Sequence, residues 1–221
     1  MISRLPRWVE YGAFILALVA GVVNAIALLG FEHESTSHLS GITTRIGAGI
    51  VNAAFTDVLH LASIILSFVV GASISGYFLR NGALKLGKNY GGLLFIEAIF
   101  LVCAIFLLNR HPLFGHYLTA AACGLQNALA STYSGAIVRT THVTGIFTDL
   151  GLMLGAKLRG ERFDKRKALL FSLIILGFLL GGVLGAYLFA LFHYNALYIP
   201  ASICLMLSLI YAIYHSRFGR N

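Results

Sequence analysis

Ser37-His38-Leu39-Ser40-Gly41-Ile42-Thr43-Thr44 returns later in the chain as Thr141-His142-Val143-Thr144-Gly145-Ile146-Phe147-Thr148. Upstream, Gly21-Val22-Val23-Asn24-Ala25 returns as Gly124-Leu125-Gln126-Asn127-Ala128. The offset is 103 residues at Asn24/Asn127 and 104 at His38/His142, so one residue of slippage aligns both motifs. A polar, Gly-containing segment duplicated inside an apolar chain is the signature of an internal repeat in a membrane transporter or channel.

Composition places the chain in a bilayer. Of its 221 residues 58% are hydrophobic and 11% charged, against about 25% charged in ordinary globular proteins. Mean hydropathy is +0.86. Only three Pro but 24 Gly are present, which fits helices packed through small residues. The net charge of +8 sits in short inter-helix loops, so it reads as membrane orientation and not as a nucleic-acid surface. Cys103, Cys123 and Cys204 lie within apolar runs and lack metal spacing, so they read as packing thiols. The first apolar run shows no convincing cleavage site and carries Asn24 in a repeated motif, so it is expected to be retained as a span.

A spanning helix needs roughly 20 apolar residues. Six stretches qualify, at 11–31, 56–79, 91–109, 117–138, 168–192 and 196–214. They divide three and three near Asn109-Arg110-His111-Pro112, giving one transmembrane domain made of repeat one (11–110) and repeat two (116–214). Phe68-Val69-Val70-Gly71 also resembles Phe178-Leu179-Leu180-Gly181, at an offset of 110. Of the 16 Lys and Arg, all but Arg45 and Arg110 then fall on one side. That asymmetry predicts cytoplasmic termini. An odd number of spans per repeat makes the halves inverted copies. The rival count takes 39–55 and 143–158 as full spans, giving eight helices and parallel repeats, and it spoils the charge asymmetry.

The duplicated segments, 35–48 and 139–152, are too polar for a lipid-facing helix and too apolar afterwards for an ordinary loop. Irregular backbone survives in hydrocarbon only when buried in protein or facing water. Gly41 and Gly145 suit a break, and the preceding Ser and Thr suit caps of a short helix. The expectation is all-α, with a broken or re-entrant helix after the first helix of each repeat. The two helix N-termini would approach mid-membrane and hold a polar or anionic ligand.

Candidate solute- or ion-binding residues are Asn24, His38, Ser40, Thr43, Thr44, Gln126, Asn127, Thr141, His142, Thr144 and Thr148. A buried amide needs partners, so Asn24 and Asn127 either tie each helix to the polar segment or touch solute. His38 and His142 bind ligand, shuttle protons or bond backbone. Arg45 and Asp149 occupy equivalent positions with opposite charge and form a candidate gate or coupling pair across the symmetry axis. Glu97 is the acidic residue well inside a span, a candidate protonation site. Glu32-His33-Glu34 with His38 has weak metal-like spacing that reads as a solvated loop, so no metal or cofactor is assigned. Gly177, Gly181 and Gly185, echoed by Gly71 and Ser75, mark a close-packing helix face.

The chain resembles the YoaK-like family of small bacterial inner-membrane proteins, a domain of unknown function, from about Tyr11 to Tyr214. The resemblance is most specific at Gly124-Leu125-Gln126-Asn127-Ala128, at Arg139-Thr140-Thr141-His142-Val143-Thr144-Gly145 and through Thr148-Asp149-Leu150-Gly151. In the first half the family commonly shows Gly-x-x-Asp or Asn, then Thr-Gly-Asn. Asn24 fits, whereas Ser40-Gly41-Ile42 replaces the triplet. The resemblance implies a multi-pass protein of the bacterial inner membrane and supplies no reaction.

The leading expectation is a secondary transporter of a small polar or anionic solute, working at the interface of the two repeats. A passive channel is the alternative, and a membrane enzyme or structural partner the third class. The sequence shows no HExxH, nucleophile motif or phosphate loop, which argues against an enzyme. The expected partners are the lipid bilayer and the solute. Six helices make a small transport unit, so a homodimer is compatible.

Overall fold

A computed structural model describes residues 6–30, 35–79 and 89–218. The Glu32-His33-Glu34 cluster and the basic stretch 80–88 lie outside the described residues. The chain is helical, with no strand among the described residues. Its elements are α1 (Trp8–Gly30), α2 (Leu39–Val51), α3 (Phe55–Phe78), α4 (Asn89–Arg110), α5 (Pro112–Ser134), α6 (Val143–Leu158), α7 (Lys165–Phe192), a 3₁₀ turn (His193–Leu197) and α8 (Tyr198–Phe218). Helix α5 begins at Pro112, capped by His111. Proline suits a first helical turn, where its missing N–H has no intrahelical partner to lose.

Among the described residues, four segments are long and apolar enough to cross a membrane: α1, α3, α4 and the 53-residue run Lys165–Arg217 that joins α7 to α8. The protein is a multi-pass membrane protein. The fourth of the six expected spans, now α5, is long enough but not among the four. Its physical reason is position. Most of α5 is buried against other helices, including the polar His116, Thr119, Gln126 and Ser134. A helix enclosed by protein can carry polar side chains that lipid would reject. The two short helices, with 13 residues in α2 and 16 in α6, rise about 1.5 Å per residue, too short to cross hydrocarbon.

The halves pack by exchange. The first helix of each packs most extensively on the third helix of the other: α1 on α7, and α5 on α3. Glycine makes this approach possible. A Cβ at Gly21 would meet the carbonyl of Phe178, and one at Gly124 would meet the carbonyl of Phe68. Likewise Gly181 lies against Leu18 and Gly71 against Ala121. Each pair maps onto its partner pair through the offsets of 103 and 110. Direction follows from the same contacts. Phe14, Leu18 and Val22 meet Gly177, Gly181 and Gly185 in order, so α1 and α7 run parallel. His60 meets Tyr117 and Phe68 meets Gly124, so α3 and α5 run parallel as well. Ser208 Oγ donates to the Gly91 carbonyl at 2.7 Å, and Asn109 Nδ2 to Asn195 Oδ1 at 3.5 Å, so α4 and α8 are antiparallel.

The short helices sit against different neighbours. Ile42 of α2 is buried with Leu61 and Ile64 of α3 and Ala120 of α5. Ile146 of α6 is buried among Val9 and Ala13 of α1 and Leu170 and Phe171 of α7.

Candidate functional site

Each duplicated strip is tied to the amide of its own half. Asn24 Oδ1 accepts from the hydroxyls of Ser35 and Ser37, the latter at 2.7 Å. Asn127 Nδ2 donates to Thr141 Oγ1, and its Oδ1 accepts from Thr140 Oγ1 at 3.0 Å and from the Thr141 N–H at 3.4 Å. Both amides thus tie their helix to the polar strip. The tie holds the chain folded back beside the helix it has just left.

The strips also converge on one helix. Thr36 and Thr140, equivalent at offset 104, are both fully buried. Thr36 Oγ1 lies 3.6 Å from Cys123 Sγ, and Thr140 Oγ1 donates to Gln126 Oε1 at 3.4 Å. Cys123 and Gln126 are three residues apart on α5, hence on one face. Close by is Glu97, 2% exposed, beside the Cys204 thiol of α8. Glu97 Oε2 and Gln126 Nε2 have no hydrogen-bond partner among the described residues. A buried polar centre of hydroxyl, thiol, amide and carboxyl groups thus lies where the halves meet.

Other expected site residues stand away from it. Ser40, Thr43, Thr44, Thr144 and Thr148 are exposed. Thr43, Thr44 and Thr148 turn their hydroxyls onto the carbonyls of Leu39, Ser40 and Thr144 one turn back, a common fate of such residues inside helices. Gly41 and Gly145 are helical, so they are not breaks. Each lacks a Cβ because an imidazole occupies that space, His38 on Gly41 and His142 on Gly145. The residues that cap α2 and α6 are His38 and His142 themselves, with no side-chain cap bond, where Ser or Thr caps were expected. The Asp149 carboxylate lies 3.7 Å from Lys167 Nζ, on the neighbouring α7. Arg45 stands exposed on α2, against α3.

Two cavities flank the centre. A cleft of about 450 Å³ opens between α1, α4, α5 and α8, lined by Trp8, Tyr90, Tyr133 and Tyr211 among others. A closed cavity of about 10 Å³ lies among α1, α4, α5 and the 3₁₀ turn. They are images of each other. Ala13, Leu16, Leu129 and Ala130 of the cleft correspond at offset 103 to His116, Thr119, Ile26 and Ala27 of the closed cavity, and Tyr90 corresponds at 104 to Tyr194. The cause is unequal packing. α4 lies close on α5, while the equivalent pair, α8 and α1, touches at few points. At the closed end, Tyr194 Oη donates to the Gly30 carbonyl and fills the space.

A bundle of apolar helices around buried polar groups defines a multi-pass membrane protein. The chain belongs to the family described as protein of unknown function (DUF1275), whose model matches residues 12–210. No curated protein and no solved structure matches it.

Proposed function

We propose that the protein is a secondary carrier for a small polar solute, with its site where the two halves meet. The inequality of two equivalent cavities carries this reading: about 450 Å³ at one end and about 10 Å³ at the other. In a carrier built from inverted repeats, equivalent helices form the two ends, and alternating access requires one open while its image is closed. In this arrangement α1, α3 and α4 form one half and α5, α7 and α8 its inverted copy. α2 and α6 enter the bilayer from opposite faces, and both termini lie in the cytoplasm. The helix directions and the distribution of Lys and Arg support it. The wide cleft then opens to the cytoplasm of a bacterial inner membrane, and the solute reaches the polar centre through it. A passive channel requires a continuous path, and the closed end favours a carrier.

Sided thiol labelling tests the proposal in a chain whose three native cysteines are replaced. Ala130→Cys, in the cleft, should react from the face bearing the N-terminus, and Ala27→Cys, its image, from the other face. A bulky reagent fixed on the first should abolish reaction at the second. Simultaneous reaction of both sites from both faces would indicate a pore. Inertness of Ala27→Cys under all conditions would indicate a protein that does not alternate.

A further inference from the structure

We infer that the solute is a small organic cation whose ammonium group is held by Glu97 at the floor of an aromatic cleft. The inference rests on the carrier reading and names its substrate class.

Three of the four helices lining the cleft share one order of side chains with depth. α4 offers Tyr90, then Leu94, and one turn further Glu97. α8 offers Tyr211, then Leu207, and one turn further Cys204, the thiol beside Glu97. α5 offers Tyr133, then Leu129, and one turn further Gln126. Residues three and four apart share a helix face, so each of these helices carries an aromatic, an apolar and a polar residue in order of depth, the polar one a turn beyond the cleft's lining.

The mouth is suited to positive charge. Ring centroids of Trp8 and Tyr133 are 5.5 Å apart, those of Tyr90 and Tyr133 6.0 Å, and those of Tyr90 and Tyr211 6.4 Å. Aromatic faces attract a cation within about 6 Å, most strongly where water is excluded. The cleft's volume also lies in the range of small-molecule sites, roughly 300–1,000 Å³.

The floor offers a place for positive charge. Glu97 is buried with one carboxyl oxygen unpartnered, and no Lys or Arg among the described residues forms an ion pair with it. A carboxylate inside a membrane protein is costly alone and is relieved by a counter-charge. An anion would meet repulsion from both the ring faces and Glu97. An apolar solute would leave the carboxylate unpaired. A cation satisfies mouth and floor together, and Gln126 Nε2 offers a donor for an oxygen on the same molecule.

The experiment uses the full-length chain in nanodiscs and the fluorescence of Trp8, the chain's one tryptophan, which lines the cleft. Three probes of similar shape are compared: benzyltrimethylammonium, its uncharged isostere neopentylbenzene, and phenylmethanesulfonate. Benzyltrimethylammonium should change the emission saturably, and Glu97→Gln should weaken that binding at least tenfold, with Glu97→Asp closer to the parent. Should Glu97→Gln fail to fold, Tyr211→Leu should weaken the ammonium at least fivefold and leave the weaker signal of neopentylbenzene unchanged. Equal saturable binding of the neutral or anionic probe, no saturable binding of any probe, or unchanged ammonium affinity in either folded variant would overturn the assignment. These are equilibrium measurements without a gradient. Loss of cation preference alongside intact reciprocal labelling therefore removes the substrate class and leaves the carrier standing. Cation binding without reciprocal labelling does the reverse.

Discussion

Gly181 lies directly against the backbone carbonyl of Leu18, with no room for a methyl group between α7 and α1. Its image, Gly71 against Ala121, closes α3 on α5 in the same way. Valine at either position should lower stability by about 1–3 kcal/mol, the usual cost of overpacking. The two losses should be similar in size, measured by thermal unfolding in detergent. Alanine at Gly76 or Gly182, where nothing stands within 4 Å, should change the midpoint little.

The two amide ties differ in polarity. Asn24 uses only its oxygen, accepting from Ser35 and Ser37, whereas Asn127 both donates and accepts. Asn24→Asp should therefore fold at nearly parental stability. Asn127→Asp replaces the donor to Thr141 with an acceptor, so the Thr141 hydroxyl must turn to donate, and the variant should lose more than Asn24→Asp but no more than about 1 kcal/mol. Alanine should destabilise at both positions. Thermal midpoints of the four variants decide the matter.

Bulk placed in the two cavities should act in opposite senses. Ala27→Phe does not fit a cavity of about 10 Å³, so relief requires that end to open, and Leu16→Cys in the cleft should become less reactive in the same chain. Ala130→Phe enters a cleft of about 450 Å³ without strain and should leave the thermal midpoint unchanged while narrowing solute entry. Sided labelling and unfolding, measured together, separate these outcomes.

Arg166 Nε donates to Glu10 Oε1 at 2.9 Å, joining α7 to α1 at the end where the cleft opens. The pair is partly exposed, so its contribution is modest, about 1 kcal/mol or less after screening. Glu10→Gln should lower the midpoint slightly, and raising salt should narrow the gap between variant and parent.

Much of the architecture can be read from the repeat. The offset of 103 locates the first helix of each half, and the match of Phe68-Val69-Val70-Gly71 to Phe178-Leu179-Leu180-Gly181 locates the helices they grip, because close packing demands small residues at fixed places. The buried threonines lie one residue beyond the motif: extending Ser37-His38 and Thr141-His142 backward reaches Thr36 and Thr140. The aromatic cleft offers no such signal. Trp8, Tyr133 and Tyr211 map onto His111, Gly30 and Leu107, so the repeat hides them, and they meet only through tertiary packing. Gly41 and Gly145 were open to misreading because a glycine that seats a histidine ring looks in sequence like one that ends a helix. The pairing of Glu97 with Cys204 depends on the register of α4 against α8, which no local pattern encodes.

The interlocking of α1 with α7 and of α3 with α5 also bears on how the chain assembles. Residues 1–110 alone leave α1 and α3 without their principal partners, so the core closes only once the later helices have been made.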